Sequence, residues 1–185
     1  MSNSKSFKSA LSPQKIAIIA VLISMALVLS VVERMFPPIV PVPGIKIGLP
    51  NIMTLFAIFY LDTLSAFIIV VLRCIIAAGF FGGVTVFAFS LAGGLCALLI
   101  MRLLKSLQNR YVSYIGISIA GAASHNLGQV LVASFFLQSF NIFAYLPLLL
   151  LGSIVTGIIT GSLYAMVDGK LMHIPYFKGI KEHYL

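Results

Sequence analysis

Charge is what this chain lacks. Only 9% of its 185 residues are Asp, Glu, Lys or Arg, and just four of those are acidic. A soluble domain is about one-quarter charged, so a chain this poor in charge has too little to clothe a water-facing surface. Hydrophobic residues supply 61% of the sequence, and mean hydropathy is +1.12. These values describe an integral protein of the cell membrane, with room for a handful of spanning helices and no second soluble domain. Cysteine is nearly absent as well. Cys74 and Cys96 lie inside apolar runs, where they behave as small hydrophobes, with neither metal-ligand spacing nor an exposed loop to bridge.

Missing motifs exclude whole classes of function. There is no Gly-x-x-x-x-Gly-Lys-Ser/Thr loop, so energy from nucleotide hydrolysis would have to come from another chain. The aspartates Asp62 and Asp168 stand far apart near helix ends, whereas diphosphate chemistry with magnesium needs clustered carboxylates. No nucleophile, base and carboxylate set is visible. The sequence therefore predicts a non-enzyme with no catalytic residues, no resident metal and no cofactor. A net charge of +8 would suggest nucleic acid in a soluble protein. Here the basic residues flank apolar segments and act as topology signals, which excludes the nucleic-acid reading.

The apolar runs are organised as six spans of an all-α, polytopic bundle. Lys5, Lys8 and Lys15 before an apolar stretch imitate a secretion signal, but Glu33-Arg34 follows without a small-residue cleavage site, which predicts a retained first helix over about 16–32. The proline- and glycine-rich stretch Pro37 to Gly44 cannot be helical and must turn at the surface. A single helix over 48–78 would reach about 46 Å, too long for one crossing, so the run divides at Asp62 into spans over 48–61 and 63–78. Gly79-Phe80-Phe81-Gly82-Gly83 breaks the chain again, and further spans cover 84–101, 112–137 and 145–167. Lys5, Lys8, Lys15, Arg102, Lys105, Arg110, Lys170, Lys178 and Lys181 then share one side against Arg34 and Lys46 on the other, nine against two. That asymmetry places both termini in the cytoplasm, with tails over 1–15 and 168–185 flanking a membrane domain over 16–167.

Small residues mark faces where helices approach closely. Ser153, Gly157, Gly161 and Ala165 recur every fourth residue in span six, as do Gly116, Ala120, Ser124 and Gly128 in span five. Ala17, Ala20 and Ser24 cluster on one face of span one. Such stripes serve packing within the bundle or docking of a partner membrane protein.

Polar groups that are expensive in lipid carry the functional argument. Arg73 sits well inside span three, where an unpaired charge costs about 3 kcal/mol on insertion scales, so it must face a partner or a wet cavity. Span five contributes His125-Asn126-Leu127-Gly128-Gln129, in which His125 and Gln129 are four apart and share a face. Glu33 tops span one, and Lys46 and Asn51 open span two. On the six-span topology all of these lie at mid-membrane or in its outer half. Their convergence predicts an outward-open cavity, more positive than negative, suited to a small molecule with an anionic or acceptor-rich group. The alternative is structural: Arg73 tied to Glu33, His125 bonded to a carbonyl, Asn126 and Gln129 as interhelical glue. Phe80, Phe81, Phe87 and Phe89 offer either a stacking surface for a planar ring or ordinary lipid-facing filler.

The patterns Leu29-Ser30-Val31-Val32-Glu33, Pro43-Gly44-Ile45-Lys46-Ile47-Gly48-Leu49-Pro50-Asn51, Leu72-Arg73, Ser90-Leu91-Ala92-Gly93-Gly94 and Ser124-His125-Asn126-Leu127-Gly128-Gln129 resemble the Gx transporter family, also labelled heptaprenyl diphosphate synthase component I. The resemblance covers about 15–167. That family looks like a branch of the S-components of energy-coupling factor (ECF) transporters. The resemblance implies a six-helix protein that captures a vitamin-like molecule, or a quinone or isoprenoid precursor, from outside. It also implies docking on a coupling membrane subunit driven by ATPases in other chains. It further implies that Phe36 to Lys46 covers the ligand and that the first helix docks through an Ala-x-x-x-Ala pattern, degenerate here because Val21 follows Ala17 and Ser24 follows Ala20. Two other readings remain: a non-catalytic membrane subunit of a polyprenyl diphosphate synthase or quinone pathway, and a partner in a membrane flavin or electron-transfer assembly.

Overall fold

Inside hydrocarbon every backbone amide must be satisfied within its own segment, and this chain meets that demand with helices. The computed structural model describes residues 12–35, 46, 48–108 and 111–184. Among them run α1 (Pro13–Met35), α2 (Asn51–Tyr60), α3 (Thr63–Phe81), α4 (Gly83–Lys105), α5 (Tyr114–Leu137), a 3-10 turn (Phe140–Tyr145), α6 (Leu146–Leu171) and α7 (Pro175–Tyr184). Five of these, α1 and α3 to α6, are long and apolar enough to cross a bilayer, the 3-10 turn running straight into α6. The chain is a multi-pass membrane protein.

Local chemistry explains where the helices begin and end. The Asp62 carboxylate accepts the Ser65 N–H at 2.6 Å and starts α3. The Ser113 hydroxyl accepts the Gly116 N–H at 3.2 Å and starts α5. Each satisfies one of the amides that a helix start leaves without a partner. α5 ends on Gln138 in the left-handed region, whose N–H returns to the Ser134 and Phe135 carbonyls. The expected break over 79–83 is narrower than its composition suggests, since α3 continues through Phe81 and the chain turns only at Gly82 and Gly83.

Contacts fix the alternation of the helices. Lys15 at the start of α1 donates to Asp62, between α2 and α3, at 2.5 Å. Arg102 donates to Thr63 at 2.9 Å, and Lys105 donates to the Ile58 carbonyl at 2.9 Å, bringing the end of α4 to the same place. Tyr60 at the end of α2 donates to Asp168 near the end of α6. One end of the bundle therefore gathers the start of α1, the α2–α3 turn, the end of α4 and the end of α6. Burial and the Ser65 N–H act on Asp62 in opposite directions, and with Lys15 beside it the carboxyl ends below its usual range.

The expected second span is the element that departs most from expectation. α2 has ten residues, about 15 Å, half the thickness of hydrocarbon. Nine of the ten are buried, as expected of a helix that is apolar all round and enclosed by others. Its Leu55, Ile58 and Phe59 form the main core with Ile69, Met101, Ile117 and Tyr164. A smaller core lies toward the opposite end and joins Phe89, Val130, Ala133, Ile142 and Leu149. Val21, Val28, Leu99, Leu151 and Val155 are exposed on the outside, the pattern of a surface that meets lipid.

The glycine stripe of α6 serves internal packing. A Cβ on Gly157 would stand 2.4 Å from the Ile119 Cα, and one on Gly161 2.6 Å from the Ile115 Cα, so α5 and α6 meet backbone to backbone. Gly128 of the α5 stripe is pressed in the same way against the Ala92 carbonyl of α4. Ala17, Ala20 and Ser24 are instead exposed on α1, with the Ser24 hydroxyl turned back to the Ala20 carbonyl at 2.9 Å. Beyond α6 the expected tail is ordered, and α7 packs against α2. Of the remaining expectations, the stretch Pro37 to Gly44, Lys5, Lys8 and Arg110 lie outside the described residues, as do residues 36–45 of the expected cover.

Candidate functional site

Five segments bring polar side chains to one small cavity. It is lined by Ser30 and Glu33 from α1, Lys46 and the Gly48–Pro50 turn, Arg73, Cys74 and Ala77 from α3, Ser90 from α4 and His125 from α5. Its volume is about 10 Å³, the space of one water molecule.

The turn before α2 is the hinge of this geometry. Gly48 has φ +93°, a conformation that residues with a Cβ rarely adopt, and a Cβ there would lie 2.8 Å from Asn51 Nδ2 and 3.2 Å from the His125 ring. Its N–H and that of Leu49 both donate to the Glu33 carboxylate. Glu33 thus closes the turn onto α1. One turn of helix later, Asn51 accepts from the Arg73 guanidinium at 3.3 Å.

Paired glycines on α4 make room for the cation and the imidazole. A Cβ on Gly93 would sit 2.8 Å from His125 Cε1 and Nδ1, and one on Gly94 2.9 Å from an Arg73 terminal nitrogen. Gln129, one turn beyond His125, accepts the Lys46 backbone N–H at 3.0 Å. The Lys46 ammonium is pushed down to about 8, first by burial and then by Arg34 and Arg73, with Glu33 opposing.

Hydrogen-bond satisfaction is incomplete among the buried side chains. Arg73 Nε, Asn51 Nδ2 and Gln129 Nε2 are buried donors without a partner among the described residues, and so placed are the Thr54 and Ser90 hydroxyls and the acceptor Asn126 Oδ1. Buried polar groups are normally paired, so the unpaired Arg73 Nε at the void, with the Asn51 and Gln129 amides beside Arg73 and Lys46, is a departure that calls for an explanation. The carboxylates, by contrast, are engaged or distant. Glu33 is held by backbone amides, Asp62 by Lys15, Asp168 by Lys181, and Glu182 lies exposed on α7.

Six of the seven expected site residues meet here: Glu33, Lys46, Arg73 and His125 line the void, while Asn51 and Gln129 hold Arg73 and Lys46. Asn126 is turned away. Its Nδ2 donates to the Leu149 carbonyl at 3.0 Å and to Ser153 Oγ at 2.8 Å, joining α5 to α6. The structural alternative, an Arg73–Glu33 tie, is not formed among the described residues, where Arg73 bonds to Asn51 and Glu33 to Gly48. Phe89 is buried in the smaller core, Phe80 is exposed, and neither they nor Phe87 line the cavity. Ser30, Ser90, Gly93 and Gly94 escaped the sequence reading of the site. The Gly-Gly pair opposite an intramembrane arginine was the available signal.

Residues 22–167 match the protein family described as heptaprenyl diphosphate synthase component I. No curated protein and no solved structure matches the chain.

Proposed function

Because this chain belongs to the heptaprenyl diphosphate synthase component I family, we propose that it is a non-catalytic, membrane-embedded substrate-binding subunit. In this reading it resembles an ECF S-component and captures a small molecule with an anionic or acceptor-rich group from outside. The observation that carries the reading is the buried Arg73 Nε, unpaired among the described residues, at a void lined by Arg73 and Lys46, with the Asn51 and Gln129 amides bonded to those two residues behind it. Two cations against one carboxylate leave the void net positive while Lys46 is charged. A carboxylate or phosphate would satisfy these donors together, and charge-assisted hydrogen bonds of that kind are about twice as strong as neutral ones.

In this reading α2 and the turn before it complete a sixth crossing, and the basic end of the bundle faces the cytoplasm. A void the size of one water belongs to a closed arrangement, so capture requires the Gly48 turn and α1 to move outward. α1 is the spanning helix least enclosed by others, with 22% of its apolar window buried. Its exposed Ala17, Ala20 and Ser24 form the docking face for a coupling subunit that brings its own ATPases.

The family description favours a second reading, in which the chain is the membrane subunit of a polyprenyl diphosphate synthase and hands a lipid precursor to a soluble partner. Native mass spectrometry of gently extracted protein separates the two. A retained small anion, lost in Arg73→Ala, together with co-purification of a coupling subunit and ATPases, supports capture. A soluble prenyl synthase whose activity depends on this chain supports the second reading. No retained species, and no thermal shift with a panel of anionic vitamins and isoprenoid diphosphates, would end the capture proposal.

A further inference from the structure

α2 is a short rod with a polar fastening at each end. Its first residue, Asn51, accepts from Arg73 beside the cavity, and its last, Tyr60, donates to Asp168 Oδ1 at 2.8 Å. About 14 Å of helix separates them. Because α2 is buried on nearly every side, neither end can tilt alone, and the helix shifts as a unit within close-packed surroundings.

The Tyr60 end is held by Asp168 of α6, and α7 holds Asp168 in turn. Lys181 is 4% exposed and donates to both Asp168 oxygens, at 2.6 and 2.7 Å, and to the Tyr114 hydroxyl at 3.1 Å. Its ammonium lies 5.5 Å from the Tyr60 ring centre and 5.3 Å from that of Tyr114, distances at which a cation is attracted to an aromatic face. Asp168 is therefore shared between Lys181 of α7, Tyr60 of α2 and Tyr164 of its own helix. Elsewhere α7 rests on the main core through Phe177 and Ile180. Phe177 and Ile180 are only half-buried, while Tyr176, Lys178 and Glu182 are exposed.

We propose that α7 is a latch on the cavity, with Lys181 and Asp168 as positioning residues that set, through Tyr60 and α2, where Asn51 and the Gly48 turn stand against Arg73. Docked, α7 keeps α2 in place and the void closed. Undocked, it frees the Tyr60 end and lets α2 shift away from Arg73. Coupling between two sites is reciprocal, so whatever displaces α2 at the cavity also loosens α7. The coupling is independent of what the cavity takes; its use as a control on capture rests on the substrate-binding reading above.

The protein carries its own reporters. Cys74 lines the cavity and is 1% exposed, whereas Cys96 sits on α4 against Gly128, outside it. The experiment measures N-ethylmaleimide labelling of both thiols in the full-length protein, with amide exchange of α7 followed in parallel. Lys181→Glu sets a second carboxylate against Asp168, and Lys181→Glu with Asp168→Lys restores an opposite-charge pair. Lys181→Glu is expected to speed α7 exchange and raise Cys74 labelling about tenfold while Cys96 stays within about twofold, as in a local opening. In every variant α7 protection and Cys74 labelling must move together. Loss of protection with Cys74 unchanged overturns the latch, as does α7 staying protected in Lys181→Glu. Equal acceleration of both thiols means general loosening and also overturns it. Should Lys181→Glu not fold, Lys181→Met carries the same readouts. A failed anion panel with this coupling intact would remove the capture reading alone.

Discussion

Replacing Gly48 with alanine tests the geometry on which the site depends. The backbone there is at φ +93°, and holding a residue with a Cβ in so sparsely populated a region costs about 1–3 kcal/mol. The new methyl would also stand 2.8 Å from Asn51 Nδ2 and 3.2 Å from His125 Cδ2, both held in place by packing. Relieving that crowding adds about 1 kcal/mol or more. For a chain of this size 1 kcal/mol corresponds to about 2–4 °C in Tm, so Gly48→Ala should lower the midpoint of detergent-solubilised protein by about 5–12 °C. Gly79→Ala is the control, because a Cβ at that helical position meets nothing within 4 Å. It should leave Tm unchanged or raise it slightly, since alanine is the better helix former. The assay is thermal unfolding followed by circular dichroism, with both variants in the same detergent. Equal, small shifts for the two would show that the turn bears no strain and is not what seats Asn51 and His125.

Lys46, at about 8, is protonated at neutral pH and loses its charge as pH rises through that value, so affinity for an anion found in the panel should fall between pH 7 and 9. Lys46→Met should bind weakly and flatten that profile, as titration calorimetry would show. Asn126→Ala should cost about 1 kcal/mol through its lost bonds to Leu149 and Ser153, yet leave anion affinity unchanged, a split that thermal unfolding and binding measured side by side would reveal. Gly157→Ala would force a methyl toward the Ile119 backbone, which has no rotamer to give, and should lower stability by about 1–3 kcal/mol in chemical denaturation, whereas Gly169→Ala, with open space around it, should not. Glu33→Gln keeps an acceptor for the Gly48 N–H and removes a negative charge beside the cavity, so anion binding should strengthen by about 1 kcal/mol, roughly fivefold. Weaker binding would contradict the assigned polarity of the site.

The long helices were legible because a bilayer leaves few options: an apolar run of about 20 residues must be a helix of known length. The grouping of His125 with Gln129 followed from spacing, and so, read more strictly, did the separation of Asn126, which helical geometry sets about 100° around from His125. α2 was harder. A ten-residue run that is apolar on every side carries no periodicity to say which face is inside, and its burial follows from its neighbours. Lys181 was hidden for a different reason. A lysine in a basic tail reads as a topology signal, yet Phe177, Ile180 and Lys181 share one helical face, and that face is the one that docks.

The proposal that Arg73 is a binding group rather than a structural tie rests on what its neighbours do. A tie would direct Glu33 at the guanidinium, since breaking such a buried pair costs about 3–5 kcal/mol and makes it a firm lock. Here the carboxylate closes the Gly48 turn instead, and among the described residues Arg73 has a 3.3 Å bond to Asn51 and an Nε without a partner. Gly94 lets the guanidinium pack directly against α4, where a Cβ would stand 2.9 Å from its terminal nitrogen. The same turn that consumes the nearby negative charge carries the chain into α2, whose far end is fastened by Asp168. A single connected run of residues, Glu33 to Gly48 to Asn51 to Tyr60, thus links the void to the far end of α2. In the proposed capture, a ligand that neutralises Arg73 would compete with Asn51 for it and so act on the helix that the proposed latch holds.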